Sequence, residues 1–173
     1  MAATAQITQV PLDIYLSTPY EPDAEYVDGV VEERPIGEND HSKWKHALEL
    51  WFGLRAQEWG IRVRPELRVQ ISVSNFRVPD VAILDRSLPV EQVITHPPVA
   101  VFEILSPEDT MTRMLTKLAD YERMGIRTIL VIDPDGKHFR FSGGALEPLQ
   151  AEPFDIPGSG CRFDLAEIEK LLD

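Results

Sequence analysis

Two apolar, β-branched runs, each containing one carboxylate, constrain the fold of this chain more than any other feature. They are residues 77–84 (RVPDVAIL), which contain Asp80, and residues 99–107 (VAVFEILSP), which contain Glu103. Continuous apolar runs of this length indicate strands buried on both faces. Because a buried carboxylate is costly without a cation or hydrogen-bond donors, two of them on neighbouring strands predict a shared positive partner. A divalent metal with oxygen ligands is the simplest such partner.

The composition predicts one domain over residues 1–173, in which residues 1–22 form an N-terminal arm that is extended or a short strand. A chain of 173 residues that is 43% hydrophobic can bury a substantial core. Its single cysteine, Cys161, excludes an internal disulfide and fits a reducing compartment. The sequence has no segment as long as a membrane span and no signal pattern, so we expect a cytoplasmic protein without membrane contact.

The charge of the chain opposes binding to nucleic acid. The formal net charge is −12, and affinity for DNA depends mainly on neutralising phosphates with basic side chains. Any contact with DNA therefore requires a local basic patch. Candidates for that patch are Lys43, Lys45 and His46, together with Arg62, Arg64, Arg68 and Arg77.

The order of the periodic segments predicts a mixed α/β sheet flanked by helices. Residues 26–33 indicate a hairpin with a turn at Asp28-Gly29. A first helix begins with Asn39 or Asp40 as its cap and runs to residue 59, and two further helices occupy residues 110–124 and a segment after Asp164 that ends at residue 172. The predicted strands are residues 61–64, 67–73, 78–84, 99–105, 128–133 and 137–141. Residues 99–128 form a strand–helix–strand unit, which predicts a parallel crossover.

Asp80 and Glu103 form a two-carboxylate metal site if they face the same edge of adjacent strands. Mg²⁺ needs few protein ligands, so the backbone carbonyl of Ile104 and water molecules could complete its coordination. Such a metal lowers the pKa of a bound water and stabilises charge on a phosphate. A nearby lysine would orient or deprotonate that water, and Leu105 occupies the usual position for it. Lys117 is a replacement, because it borders the apolar stripe of the following helix.

An ordered series of short motifs resembles the PD-D/E-x-K nucleases and, more narrowly, the Uma-type family of putative restriction endonucleases. No single motif in the series is specific, but their order is. The series covers residues 25–140 and consists of EYVDG (25–29), His41, VPD (78–80), EILSP (103–107), the spacing Lys117–Tyr121–Gly125, and VIDP (131–134).

The resemblance implies a restriction-endonuclease-like α/β fold, with Asp80 and Glu103 as metal ligands and Lys117 as the lysine moved onto a helix. It also implies that Glu25 is an additional acidic residue near the site. His41 and Tyr121 are candidate supporting residues. One departure from the family pattern is residues 108–113 (EDTMTR), which lack the Ser/Thr-rich run and the particular acidic residue before the lysine that are expected of relatives.

Several of these residues have a structural interpretation beside the functional one. Glu25 could oppose an arginine across the hairpin, and Lys117 taken alone is typical of a solvated helix position. His41 could contact phosphate, although we slightly favour a surface position. Tyr121 is most simply a core residue whose hydroxyl is hydrogen-bonded.

The leading hypothesis is an Mg²⁺- or Mn²⁺-dependent endonuclease that hydrolyses DNA phosphodiester bonds, with Asp80, Glu103, Lys117 and Glu25 as catalytic candidates. The alternative is a non-catalytic binding or assembly module with a nuclease fold, and Lys117 farther than about 8 Å from both carboxylates would favour it. A third hypothesis is a hydrolase of a smaller phosphate ester, which needs a closed pocket. We also expect a homodimer, for which the strand at residues 67–73 offers an edge.

Overall fold

The computed structural model describes residues 8–35 and 37–172. The helices of these residues are α1 (Leu12–Ser17), α2 (Asn39–Gly53), α3 (Met111–Met124) and α4 (Leu165–Glu169). The strands are β1 (Ala24–Val27), β2 (Val30–Glu33), β3 (Ile61–Pro65), β4 (Val69–Ser72), β5 (Asn75–Arg77), β6 (Val81–Asp85), β7 (Ala100–Ile104), β8 (Ile129–Ile132), β9 (His138–Ser142), β10 (Ala145–Pro148), β11 (Phe154–Asp155) and β12 (Arg162–Phe163).

The central sheet has six strands in the order β10-β9-β8-β7-β6-β3. Its β7 and β8 are parallel and are connected through α3, whereas every other neighbouring pair is antiparallel. The predicted mixed sheet flanked by helices is therefore confirmed, as is the parallel crossover. Among the residues described, no helix is long and apolar enough to cross a membrane.

A second sheet of four antiparallel strands, β2-β1-β5-β4, lies beside the first. The predicted hairpin is confirmed, because Val27 pairs with Val30 and both turn residues have positive φ, 50° at Asp28 and 87° at Gly29. Strand β5 is short and has no apolar run of its own, which explains why the sequence did not predict it. This sheet carries Glu25 on β1 and Arg77 at the end of β5.

Each face of the central sheet packs against a helix. Phe102 and Ile104 of β7 belong to the core on the α2 side, with Leu48 and Phe52. Val101 belongs to the core on the α3 side, as do Ala82 and Leu84 of β6. Because side chains alternate along a strand, Glu103 and Asp80 fall on the α3 side. The period of two thus directs both carboxylates toward the helix that carries the candidate lysine.

The sequence predicted α3 well and α2 less well. Thr110 caps α3 by accepting a hydrogen bond from the backbone of Arg113 at 3.3 Å, and Gly125 ends the helix at φ 98°. The predicted end of α2 at residue 59 is wrong, since the helix ends at Gly53 and turns follow to residue 60. The predicted caps Asn39 and Asp40 are also wrong, because they are the first helical residues and Glu38 precedes them. The last helix, α4, ends at Glu169 and not at residue 172.

The N-terminal region differs in part from the predicted arm. Residues 12–17 form helix α1, and its Tyr15 packs with Tyr26 and Phe76 on the four-stranded sheet. An extended arm is therefore wrong for that segment. Residues 1–7, which were also assigned to the arm, lie outside the residues described. A single domain over residues 1–173 stays a prediction.

Candidate active site

Asp80 and Glu103 lie next to each other at one end of the central sheet. In the antiparallel pair of β6 and β7, Val81 is opposite Phe102, so that Asp80 and Glu103 are the next positions along the ladder. The backbone amide of Ile104 donates to Oδ2 of Asp80 at 2.7 Å. Both carboxylate residues are only 2% exposed. The two buried carboxylates that the sequence predicted are therefore neighbours, with Glu103 on β7 and Asp80 immediately before β6.

Lys117 and Tyr121 contact the two oxygens of Glu103 from α3. The ammonium of Lys117 lies 2.8 Å from Oε2, and the hydroxyl of Tyr121 donates to Oε1 at 2.6 Å. Residues four positions apart lie on one face of a helix, which is why one turn of α3 supplies both contacts. Lys117 is buried, so the interpretation of it as a solvated helix residue is wrong.

Glu25 reaches the same ammonium from the second sheet. Its Oε1 lies 2.8 Å from Nζ of Lys117, and its Oε2 lies 2.9 Å from Nη1 of Arg77. Lys117 also donates to the backbone carbonyl of Val78 at 3.0 Å, so three acceptors surround its three protons. Glu25 therefore contacts the lysine and also an arginine, although this arginine lies on β5 and not across the hairpin of β1 and β2.

Behind Glu25, Arg77 connects the second sheet to α3. This side chain is fully buried, and its Nε donates to Oδ2 of Asp120 at 2.7 Å. The carboxylate of Asp120 also contacts the exposed Arg123. Arg77 thus fixes both Glu25 and the helix that carries Lys117.

Asp80 has a different set of partners from Glu103. Arg34, which follows β2, contacts its Oδ1 through Nη2, and Nε2 of His41 lies 3.3 Å from its Oδ2. The side chain of His41 is 13% exposed. The slightly favoured surface position of His41 is therefore wrong, and the residue lies at the candidate site.

The different partners shift the pKa values of the two carboxylates in opposite directions. Burial raises the pKa of Glu103 to about 7 despite the opposing charge of Lys117, and the neighbouring charges of Asp80 and Glu25 add to the increase. Burial acts on Asp80 in the same direction, but the contact with His41 and the charge of Arg34 outweigh it and hold this pKa at about 2. Asp80 is consequently ionised at neutral pH, while Glu103 is near its midpoint.

The two other titratable groups at the centre form a charged pair. Burial opposes the charged form of Lys117, but Glu103 and Glu25 outweigh it and raise the pKa of the lysine above its usual value. For Glu25, the charges of Lys117 and Arg77 outweigh burial and lower the pKa. Burial and the charge of Glu103 raise the pKa of Tyr121 well above its usual value.

A small pocket opens onto this cluster. Its volume is about 30 Å³, which is room for one ion or water molecule. Both carboxylates line it, as do three basic side chains, Arg34, Arg113 and Lys117, and the imidazole of His41. The pocket is therefore a small, charged cavity at the end of the sheet.

Comparison with known proteins gives the family of the chain. Residues 11–151 match the family Uma2, described as putative restriction endonuclease. The chain belongs to the Uma2 family. This finding confirms the resemblance seen in the order of the motifs.

A solved relative shows the same fold. The crystal structure of a putative nuclease belonging to DUF820 from Anabaena variabilis ATCC 29413 matches with a TM-score of 0.78 and 20% identity, over 95% of this chain and 99% of that chain. A chain of the cryo-EM structure of the DrdV-DNA complex matches with a TM-score of 0.38 and 18% identity, over 76% of this chain and 13% of that chain. A TM-score of 0.38 is too low to indicate a shared fold with the DrdV chain. No curated protein matches this chain.

The donor set of this Uma2-family site fits a hard divalent cation. Asp80 and Glu103 offer carboxylate oxygens, which Mg²⁺ and Mn²⁺ prefer, and the ammonium of Lys117 that contacts Glu103 is shared with Glu25. Within residues 8–35 and 37–172, no group of three or more His, Cys, Asp or Glu side chains is arranged to hold a metal ion. A metal here would therefore depend on two carboxylates, completed by a backbone carbonyl and water.

Sequence reasoning did not assign a site role to Arg34 or Asp120, and named Arg77 only as part of a basic patch. A usable signal existed for Asp120, since it lies three positions after Lys117 on the same face of α3. Arg77 is the first residue of the run that contains Asp80, which places it at the same end of the sheet. For Arg34, nothing in the sequence indicates that its side chain returns to Asp80, 46 positions away.

Proposed function

We propose that this Uma2-family protein is a divalent-metal-dependent endonuclease that hydrolyses phosphodiester bonds in DNA. The observation that carries the proposal is the convergence on one small pocket of Asp80 from the residue before β6, Glu103 from β7 and Lys117 from α3. The ammonium of Lys117 lies 2.8 Å from Glu103. A distance of more than about 8 Å from both carboxylates would have favoured a non-catalytic module.

In this proposal Asp80 and Glu103 would hold Mg²⁺ or Mn²⁺, and the backbone carbonyl of Ile104 and water would supply the remaining oxygen ligands. When bound, the metal supplies a water of lowered pKa and stabilises the charge that develops on the phosphate. The chain contributes two fixed carboxylates on adjacent strands, one of which is oriented by the amide of Ile104 at 2.7 Å.

Lys117 acts in this proposal as a hydrogen-bond donor more than as a base. Its raised pKa keeps it protonated at neutral pH, and a protonated amine cannot accept a proton from water. It instead orients the attacking water and stabilises negative charge. Glu25 keeps the ammonium in place from the opposite side at 2.8 Å, and is therefore a positioning residue.

His41 and Tyr121 support the two carboxylates from opposite ends of the site. Tyr121 directs one oxygen of Glu103 by donating to it at 2.6 Å. His41 lies at the first turn of α2, 3.3 Å from Asp80, and also lines the pocket. Either residue can be altered without removing a proposed metal ligand, which makes both useful probes of positioning.

Arg113 and Lys45 are the basic groups that favour contact with phosphate at this site. Arg113 lines the pocket. Lys45 lies near the pocket, because its ammonium is 2.9 Å from Oε1 of Glu66, and the same oxygen is 3.4 Å from Nη1 of Arg34. Each of them already contacts a carboxylate, Arg113 that of Glu32 at 3.4 Å and Lys45 that of Glu66, so a phosphate would compete with these contacts for the positive charge. Most of the other candidate arginines are held elsewhere, for example Arg77 in the interior and Arg62 on the backbone carbonyl of Leu88.

One observation favours the alternative, a non-catalytic binding or assembly module. A cleft of about 300 Å³ beside the pocket shares His41 and Ser106 with it, and four carboxylates line this cleft: Glu38, Asp40, Asp133 and Asp135. A DNA strand would meet electrostatic repulsion along that side. This module would keep the buried charge cluster for the stability of the fold alone.

Homodimerisation also stays a prediction. The expected edge strand, β4, does lie at the edge of the four-stranded sheet. Part of that edge is occupied, because Gln70 donates to the backbone carbonyl of Ile94 at 2.8 Å. The size of the protein in solution, measured by light scattering, tests this expectation.

The first test is binding of Mg²⁺ and Mn²⁺ by isothermal titration calorimetry. We expect one site in the unaltered protein and its loss in Asp80→Asn and in Glu103→Gln, while the exposed control Glu152→Gln binds as before. Cleavage of plasmid and linear DNA is then measured for the same proteins and for Lys117→Met, which we expect to lose cleavage.

Each outcome separates the two candidate functions. Metal binding that both carboxylate variants abolish, with cleavage that Lys117→Met abolishes, supports the nuclease. A folded protein that binds neither metal contradicts it and favours the non-catalytic module. Metal binding that survives both substitutions would place the metal elsewhere in the molecule.

A further inference from the structure

Arg34 stands between two carboxylates at the pocket. Its Nη2 contacts Oδ1 of Asp80, and its Nη1 lies 3.4 Å from Oε1 of Glu66. The two partners differ in their surroundings, because the side chain of Asp80 is 3% exposed and that of Glu66 is 41% exposed. One guanidinium thus connects a buried carboxylate of the proposed metal site to a half-exposed carboxylate at its edge.

Glu66 is fixed beside Asp80 by the backbone. Its φ of 49° is unusual for a residue other than glycine, and its amide donates to the backbone carbonyl of Asp80 at 3.3 Å. Its carboxylate is held by Lys45 at 2.9 Å. Glu66 is therefore kept within reach of Arg34 whichever carboxylate the arginine contacts.

Arg34 contacts an oxygen of Asp80 that a metal ion would need as a ligand. The two oxygens of Asp80 already face the amide of Ile104, the imidazole of His41 and the guanidinium. A guanidinium is permanently charged, so it and a divalent cation on the same carboxylate repel each other. Occupation of Asp80 by one therefore opposes occupation by the other.

We propose that Arg34 is an internal competitor of the divalent cation at Asp80, and that it moves onto Glu66 when the cation binds. The inference rests on the proposed metal site. The arginine neutralises Asp80 while the site has no metal, which stabilises the fold. It sets the metal affinity lower than the two carboxylates alone would give, and Glu66 reduces the cost of displacing it.

The first experiment compares Mn²⁺ affinity in the unaltered protein, Arg34→Gln and Arg123→Gln by calorimetry. Arg123 is a matched control, because it also contacts a buried aspartate, Asp120, but its side chain is 69% exposed and it does not line the pocket. We expect Arg34→Gln to bind Mn²⁺ about ten-fold more tightly or better, since a charge-assisted hydrogen bond no longer has to be broken. Arg123→Gln is expected to leave the affinity unchanged.

A double-mutant cycle tests the part played by Glu66. Glu66→Gln removes the carboxylate that receives the guanidinium, so we expect it to weaken Mn²⁺ binding more in the unaltered protein than in Arg34→Gln. Equal weakening in both backgrounds would show only the loss of one negative charge, and would overturn the transfer of Arg34 to Glu66.

Nuclear magnetic resonance of arginine side chains keeps the inference testable if Arg34→Gln does not fold. Saturation of the unaltered protein with Mg²⁺ should shift the Nε–H signal of Arg34 and speed its exchange with solvent, and leave the signal of Arg123 in place. An Arg34 signal that does not change at saturation overturns the inference.

The outcomes also separate this inference from the proposed function. If the unaltered protein binds Mn²⁺ and Arg34→Gln binds it no more tightly, the competition is overturned and the metal site stands. If neither protein binds Mn²⁺, both proposals are overturned. Binding by Arg34→Gln alone would support the competition at Asp80, but it would contradict both the displacement of Arg34 onto Glu66 in the unaltered protein and the proposed function.

Discussion

The two ends of the candidate site differ sharply although their carboxylates are neighbours with equal burial. Glu103 contacts one ammonium, which it shares with Glu25, and one neutral hydroxyl. Asp80 contacts a guanidinium, an imidazole and a backbone amide. The pKa of Glu103 is about 7 and that of Asp80 is about 2. At equal burial, the number and charge of the donors decide whether a carboxylate stays ionised.

This difference predicts how a cation would interact with each end. At Glu103 an added positive charge meets a carboxylate whose ammonium partner, Lys117, is shared with the buried Glu25. At Asp80 it meets a carboxylate that Arg34 already neutralises. In the proposed metal site, Glu103 therefore attracts the cation, whereas at Asp80 the cation competes with Arg34.

Replacing Lys117 by Met should change the stability of the protein most among these substitutions. It removes the only cation that contacts Glu103 within the residues described. Two buried carboxylates, Glu25 and Glu103, then lose their shared partner. We expect a loss of about 3–5 kcal/mol in the free energy of unfolding, measured with urea at pH 7. Lys170→Met, at an exposed pair with Glu167, is the control and should change little. A loss equal to that of the control would contradict the electrostatic role given to Lys117.

Replacing Glu103 by Gln should remove a pH dependence at the weakly neutralised end. The pKa of Glu103 in the folded protein, about 7, exceeds the ordinary value of 4.5, so between these values the folded state binds more protons than the unfolded state. The contribution of Glu103 to the free energy of unfolding therefore falls by about 3 kcal/mol as the pH rises through this range. We expect the difference in unfolding free energy between the unaltered protein and Glu103→Gln to change with that sign from pH 4.5 to 7. A constant difference would rule out the raised pKa.

Replacing Asp80 by Asn should remove a pH dependence of the opposite sign. The pKa of Asp80 in the folded protein is about 2, below its ordinary 3.8. Its stabilising contribution is therefore complete above about pH 4 and is lost as pH falls toward 2, by about 2 kcal/mol. Urea unfolding of the unaltered protein and Asp80→Asn from pH 5 to pH 2.5 measures this difference, and parallel curves would show that Asp80 has an ordinary pKa.

Replacing Tyr121 by Phe should have the smallest effect. It removes the hydroxyl that donates to Glu103, at a cost of about 1.5 kcal/mol when the carboxylate is charged. We expect the cost to be larger at pH 8 than at pH 5, where Glu103 is protonated. Tyr15→Phe is a matched control, because its hydroxyl donates to the neutral backbone carbonyl of Ala24 at 2.8 Å, and its cost should not depend on pH.

Local signals in the sequence predicted the elements that carry the site. Helix α3 has a capping threonine and a terminal glycine, and the hairpin has an Asp-Gly turn, so nearest neighbours in the chain specify both. The end of α2 at Gly53 was not predicted, because Gly60 was taken as the glycine that ends the helix, whereas turns already occupy residues 54–60. Strand β5 has three residues and exists through its pairing with β1 and β4.

The site was predicted in its centre and missed at its edges. Asp80 and Glu103 were singled out because a carboxylate in an apolar run needs a partner, and Lys117 was singled out through the resemblance of the ordered motifs to a family. Arg77 received no site role, and its pairing with Asp120 joins residues 43 positions apart. Nothing local to either residue requires that pair. The metal, the reaction and the role of each side chain stay proposals.

The sequence by itself determined the mixed sheet, the parallel crossover and the presence of two buried carboxylates, because these follow from the period of side chains and the cost of desolvating charge. Tertiary structure decided which cation each carboxylate receives. The four-stranded sheet brings Glu25 and Arg77 to α3, and the chain after β2 brings Arg34 to Asp80. The opposite pKa shifts depend on distances of a few ångströms between segments that are far apart in sequence. The periodicity of side chains along the chain does not determine those distances.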